Sequence, residues 1–309
     1  MHTRPMLAAT LCIKEDGLIY YKDDKTRSWE IYTKPLPFPL LVTPKIDGIR
    51  CVIRNGKAVT RELKPIPNIH IREWLEKYAQ EGWDGEIDIE GIPFNEKSSQ
   101  IMSHYGEPQF IYRVFDLHNM LHLTSAEHRG REVANLKDEI NSPFLDFLVP
   151  ELISNLDDLQ QYEEWAFEKG YEGVMLRLPS SPYKEGRSTL KQFWLVKFIR
   201  IAEDEAVVTG FTEQMENTNE KTENALGLST RSSHQANKIP KGTLGALWVK
   251  SLHFEKEFKV DGFTKEYAQH VWNNQDYFLG KVLTFKYKPF GVKDCPRHPK
   301  FKAWRHDIE

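Results

Sequence analysis

Two apolar runs, Phe38 to Val42 and Ile49 to Ile53, flank the segment Thr43-Pro44-Lys45-Ile46-Asp47-Gly48, and no other stretch constrains the chain as strongly. Each run has the length of a buried strand, so Lys45 stands at the mouth of two strands. Burial at such a place disfavours the charged ammonium and makes the side chain a candidate nucleophile. Gly48 lets the backbone turn tightly or approach a ligand. Arg50 offers a forked donor suited to phosphate or ribose oxygens. The same short segment also suits an ordinary charged surface hairpin, so residues elsewhere must decide between the two.

The chain has 309 residues, room for two domains and a sizeable core. Its hydrophobic share of 40% and charged share of 28% are those of a soluble globular protein. No apolar run approaches the roughly 20 residues that span a bilayer, and the amino terminus has Arg4 but no apolar signal core, which points to an intracellular protein. Cys12, Cys51 and Cys295 are dispersed and can build neither a disulfide framework nor a four-cysteine zinc site. A net charge of -3 leaves no global basic field, so a nucleic-acid surface must be a local patch.

Along the chain, residues 1–37 read as a peripheral strand or hairpin laid on the main domain, and the part from Cys12 to Pro37 as a surface elaboration. Asn55-Gly56 marks a hairpin turn. Ile71, Trp74, Leu75 and Tyr78 predict a helix over 69–80, and Trp83 to Glu90 alternates carboxylates with Ile87 and Ile89 as a half-buried strand does. A helix over 95–105, a strand over 109–117 and a helix capped by Ser125 follow. Phe144 to Leu152 reads as one apolar strand, and a helix over 156–169 stops at Gly170. Tyr171 to Arg177 is a short strand opening on a carboxylate, and Trp194-Leu195-Val196 sets Lys197 in another. Past Arg200 the strands become short and turn-spaced, with one helix near 265–274, the pattern of a small five-stranded barrel. The polar stretch from Asn217 to Lys241 has no strong period and is long for a loop in a compact domain.

In order, the chain thus presents a desolvated lysine, two arginines (Arg50, Arg61), a strand glutamate (Glu86), an aromatic at a strand end (Phe115), a second strand glutamate (Glu172) and a strand lysine (Lys197). Nucleotidyl transfer to a lysine needs these types. The amine attacks, cations stabilise charge developing at phosphate, carboxylates hold a hard metal ion or ribose hydroxyls, and an aromatic face stacks a base. Lys45-Ile46-Asp47-Gly48-Ile49-Arg50, Asp84-Gly85-Glu86-Ile87, Val114-Phe115-Asp116, Glu172-Gly173-Val174-Met175, Gly186-Arg187-Ser188-Thr189-Leu190-Lys191 and Asp294-Cys295-Pro296-Arg297 together resemble the motifs of minimal ATP-dependent DNA ligases of viral and phage type. Those ligases belong to the covalent nucleotidyltransferase superfamily, and the resemblance runs over nearly the whole chain.

That resemblance implies an α+β chain: a nucleotidyltransferase (adenylation) domain over 1–200, with antiparallel sheets and helices, then an all-β OB-fold domain over 201–309 carrying a latch-like insertion, 217–241. It implies a DNA ligase that uses ATP with magnesium or manganese, acting as a monomer on nicked duplex DNA and away from membranes. Lys45 would carry the adenylate. Thr43 and Ile46 would meet the adenine, Arg50, Arg61 and Glu86 the ribose and phosphate, and Phe115 would stack on the purine. Glu86 and Glu172 would serve the metal, Arg187 and Lys197 would contact phosphate, and Arg297, Arg305 and Asp307 would orient pyrophosphate. Lys191, Arg231, Lys238 and Lys241 would contact DNA. ATP is favoured over NAD because the NAD-dependent relatives carry a cysteine zinc module that three dispersed cysteines cannot form. Ile199 departs from the family, which has a second lysine there, so slower sealing is expected. RNA ligases and RNA-capping guanylyltransferases share the nucleophile motif and form the nearest alternative; a catalytically silent nucleic-acid-binding relative is the other.

Overall fold

The computed structural model describes residues 4–14, 17–22, 29–92, 94–118, 124–219, 221–223, 229–231, 238–289 and 294–305. The chain divides into two compact units: 1–12, 19–199 and 223–228 in the first, 13–18, 200–222 and 229–309 in the second.

The first unit contains β1 (Ala9–Ile13), β2 (Ile19–Lys22), β3 (Trp29–Ile31), β4 (Leu40–Pro44), β5 (Ile49–Arg54), β6 (Lys57–Thr60), α1 (Ile69–Tyr78), β7 (Trp83–Asp88), α2 (Phe94–Met102), β8 (Ile111–Leu117), α3 (Ala126–Glu139), β9 (Leu145–Phe147), β10 (Glu151–Ile153), α4 (Leu156–Glu168), β11 (Gly173–Arg177) and β12 (Val196–Arg200). They build two sheets, one in the order β10-β4-β11-β12-β1-β2-β3 and one in the order β6-β5-β7-β8-β9. Asn55 and Gly56, both at positive φ (52° and 67°), make the tight turn between β5 and β6. Asn68 and Ser125 accept bonds from Ile71 N and His128 N and so cap α1 and α3. Gly170, at φ 83°, ends α4. Ile53, Ile71, Leu75, Trp83, Ile87 and Tyr112 fill the core beneath the second sheet. Burying side chains of this size is the main favourable contribution to holding the sheet on its helices.

Two expectations are corrected. Residues 1–37 are not wholly peripheral: β1 lies inside the first sheet between β12 and β2, with Leu11 and Cys12 fully buried. Only the hairpin β2–β3 sits at the edge. Phe144 to Leu152 is not one strand. Pro150 has no N–H to give a ladder, and the chain breaks there. β9 then pairs parallel with β8, while β10 pairs antiparallel with β4 in the other sheet.

The second unit contains β13 (Ala202–Asn217), β14 (Lys221–Glu223), β15 (Ser229–Arg231), β16 (Lys238–Ser251), β17 (Phe258–Val260), α5 (Lys265–Asn273), α6 (Gln275–Phe278), β18 (Val282–Lys288) and β19 (Arg297–Trp304). Five of the strands form one sheet in the order β17-β16-β13-β18-β19 around Leu247, Val249, Val260, Leu283 and Phe285. A parallel bridge between Asp261 and Lys300, with Phe301 N donating to Asp261 O at 2.8 Å, brings its two edges together at one point. The polar stretch is a β-ribbon at its base: Asn217, Glu216 and Met215 face Lys238, Ile239 and Pro240, and β14 pairs with β15 beyond them. Among the described residues no helix is long and apolar enough to cross a membrane.

Candidate active site

Strands of both sheets in the first unit line a cavity of about 350 Å³ that contains Lys45. That volume suits a small organic ligand. Lys45 follows β4 directly. Its backbone N donates to Gly173 O at 2.8 Å, and its O accepts from Glu172 N at 3.0 Å, which ties Lys45 to the start of β11. The Lys45 Nζ donates to Glu172 Oε2, with 21% of the lysine side chain and 7% of the glutamate side chain exposed. The amine therefore faces a carboxylate and not the apolar surroundings that the flanking runs suggested.

β7 carries the carboxylates. Asp84, Glu86 and Asp88 share one face by the two-residue period, with Asp84 and Asp88 buried and Glu86 half-buried. Asp84 takes two bonds from Arg50, Nε to Oδ1 at 2.8 Å and Nη2 to Oδ2 at 2.5 Å, and a third from Tyr183 Oη at 2.7 Å. Burial opposes the Arg50 charge, but Asp84 outweighs it and the guanidinium is held above its ordinary value. Arg50 also donates to Met6 O at 2.7 Å, and its Cζ stands 5.3 Å from the Phe115 ring centre. Glu86 is the register partner of Arg50 across β5 and β7. Burial pushes its carboxyl up to about 7, while Lys45 and Arg50 pull the other way. Gly48 permits this closeness, since a Cβ there would lie 2.3 Å from Ile87 O and 2.8 Å from Glu86 Cγ.

Thr43, Ile46, Arg50, Arg61, Glu86, Phe115 and Lys197 all line the cavity with Lys45. Arg61 is the most open of the cations, 44% exposed and 3.5 Å from Glu62. Glu172 meets Lys45 without being part of the cavity wall. Arg187 also lies off the wall, donating to Ala8 O at 2.8 Å. Lys191 is exposed in the turn before β12. Ile199 is buried opposite Gly173. In the second unit Arg297 opens β19 opposite Lys288, and Arg305 pairs with Glu205. Lys238 faces Asn217, Lys241 is exposed, and Asp307 and the Arg231 side chain lie outside the described residues.

Several wall residues escaped sequence reasoning, Leu7, Ala8, Phe94 and Leu195 among them. Met175 and Arg177 both line the cavity from β11, and their alternation after Gly173 was the available signal. Arg177 pairs with Asp116, which also accepts from Arg129 Nε at 2.6 Å. Burial raises the Asp116 carboxyl, yet Arg177 and Arg129 together hold it below its ordinary value.

Among the described residues no group of three or more His, Cys, Asp or Glu is placed to hold a metal ion. Glu172, bonded to Lys45 behind the wall, is still close enough for its charge to act on Glu86. Two carboxylates fit magnesium, a hard cation that commonly takes one or two protein oxygens and completes its shell with phosphate and water.

The family model of the DNA ligase OB-like domain matches residues 237–305. A search of curated protein sequences finds no match. Among solved structures, the Chlorella virus DNA ligase–adenylate is 30% identical, with 99% of each chain covered and a TM-score of 0.54. Another structure of that ligase–adenylate is 29% identical over 99% of this chain and all of its own, with a TM-score of 0.53. A Lig E DNA ligase, 22% identical over 86% of this chain and 93% of its own, has the same fold at a TM-score of 0.64. Matched end to end by the viral enzyme and carrying the OB-like module after its lysine-centred cavity, this chain belongs to the DNA ligase family.

Proposed function

We propose that this ligase consumes ATP and seals nicks in duplex DNA through a covalent adenylate on Lys45. The observation that carries the reading is the company the Lys45 amine keeps. One cavity holds it with Arg50, Arg61, Lys197, Glu86 and Phe115. Cations placed there stabilise charge that grows on phosphate as the reaction proceeds. The relative's adenylate is consistent with AMP as the transferred group.

In the first step the Lys45 Nζ attacks the α-phosphorus of ATP, the N–P bond forms, and pyrophosphate departs with the electrons of the broken P–O bond. Glu172 is already bonded to the amine; it holds Nζ in position and can accept the proton that it loses. In the second step the 5′-phosphate at a nick takes the AMP from Lys45. In the third, the adjacent 3′-hydroxyl attacks that phosphate and AMP leaves. Glu86 and Glu172 are the residues that would hold a magnesium ion, which neutralises phosphate charge when bound. Phe115 and Met175 offer an apolar aromatic wall for the base. Residues 1–200 serve as the adenylation domain and 201–309 as the OB domain of a monomeric, intracellular enzyme, with the ribbon at 217–241 and its lysines contacting phosphates without reading sequence.

The test is incubation with α-labelled ATP and magnesium, then a chase with nicked duplex DNA. Wild type is expected to gain one AMP at Lys45 and to pass it to the nick, while Lys45→Ala takes up none. Absence of the adduct would overturn the reading. Label taken from GTP, or transferred only to RNA ends, would favour the capping or RNA-ligase alternative.

A further inference from the structure

Arg177 is more than nine-tenths buried, and it lines the cavity that holds Lys45. Among the described residues its guanidinium makes a single hydrogen bond, from Nη1 to Asp116. A guanidinium has five N–H donors and no acceptor. The Nε and Nη2 of Arg177 are not among the buried, unpartnered side-chain atoms, so they are open rather than sealed in the protein. Arg177 lines the cavity, so these open donors are available to a ligand group that accepts hydrogen bonds.

The direction of β11 says which part of a ligand arrives there. Both backbone bonds of Lys45 go to Glu172 and Gly173, and its amine also bonds Glu172. The reactive end of the cavity is therefore the start of this strand. Arg177 stands four residues beyond Gly173, on the order of 13 Å along an extended chain. Met175 lies between them on the same face, with Thr43 as its register partner, and Phe115 is joined in sequence to the Asp116 that holds Arg177. Were the α-phosphate of a nucleotide at Lys45, a base laid across Met175 and Phe115 would bring its far edge to Arg177.

We propose that Arg177, fixed by Asp116, reads the acceptor edge of the adenine ring by donating to one of its ring nitrogens; this rests on the cavity being the ATP site. A donor-only group selects for an acceptor, and a site of this kind discriminates strongly against an analogue that lacks it.

The test uses wild-type protein first, so that folding is not at issue: Lys45 adenylation is measured with ATP and with 1-deaza-, 3-deaza- and 7-deaza-ATP. One analogue is expected to raise KM about tenfold or more with little change in kcat, the loss of one charged hydrogen bond. In Arg177→Met, ATP is expected to show the same raised KM and that analogue no further penalty. Arg177→Lys is expected to recover part of the difference. The inference is overturned if wild type treats all three analogues like ATP, or if Arg177→Met weakens ATP and every analogue by one common factor, as a purely structural role would. Failure to adenylate Lys45 with any nucleotide would instead reject the underlying function.

Discussion

The Lys45 Nζ donates to Oε2 of Glu172, a residue 127 positions further along the chain. The bond fixes the amine before any nucleotide arrives, and fixing a nucleophile removes part of the entropic barrier to attack. Glu172→Gln keeps the shape and loses the charge. Single-turnover formation of the adenylate, followed with labelled ATP, is expected to slow about a hundredfold, within the usual range for a proton-accepting group. An unchanged rate would reduce the pair to a structural contact.

The Arg50–Asp84 pair is largely buried, with the Asp84 side chain completely enclosed and the Arg50 side chain 15% exposed at the cavity. Removing one member of a buried pair strands the other, a loss of about 3–5 kcal/mol. Asp84→Ala is therefore expected to lower the denaturant midpoint of the first unit and to weaken adenylation with it. Asp84→Asn, which still accepts one bond from Arg50, is expected to fall between the two. Equal stability of Asp84→Ala and wild type would contradict the pairing.

Glu86 sets a pH dependence. Its carboxyl is raised by burial from the ordinary 4.5 to about 7, so the folded protein keeps a proton that the unfolded chain releases between those values. The unfolded state then binds fewer protons, and stability falls as pH rises through that window. The loss is complete above about 7. Glu86→Gln is expected to remove this component from the pH profile of unfolding. The kcat/KM for adenylation, which reports the free enzyme, is expected to rise through pH 7 in wild type as Glu86 ionises and to lose that rise in Glu86→Gln. A wild-type profile flat across neutral pH would sink the assignment.

Ile199 is 6% exposed and abuts Gly173, the backbone partner of Lys45. A lysine there has a stem long enough to carry its charge toward the reactive end of the cavity. Ile199→Lys is expected to speed at least one single-turnover step several-fold while lowering stability by about 1–3 kcal/mol for the buried polar group. If no rate changes, residue 199 makes no phosphate contact.

Local rules carried much of the fold. Asn68, Ser125 and Gly170 bound their helices as their types predict, and Asn55-Gly56 makes its turn. What stayed hidden was pairing between distant segments. Nothing local in Leu11 or Cys12 says that β1 will enter the middle of a sheet, because that depends on which strand lies beside it. The carboxylates of β7 read as a solvent face by alternation, yet Arg50 and Lys97 neutralise them from other elements, and a single-strand pattern cannot register such partners. Lys45, Glu86, Phe115 and Lys197 were readable because motif order named them. Arg177 was not, since an arginine closing a short strand resembles any surface charge until Asp116 is seen beside it.

β11 works as a ruler. Glu172 at its threshold sets the amine, and Met175 and Arg177 mark off the cavity wall at two-residue steps. Adding or removing one residue after Gly173 would rotate both wall residues to the opposite side of the sheet while leaving Glu172 in place. The length of this strand, more than the identity of any single wall residue, is thus the quantity that a working variant has to preserve.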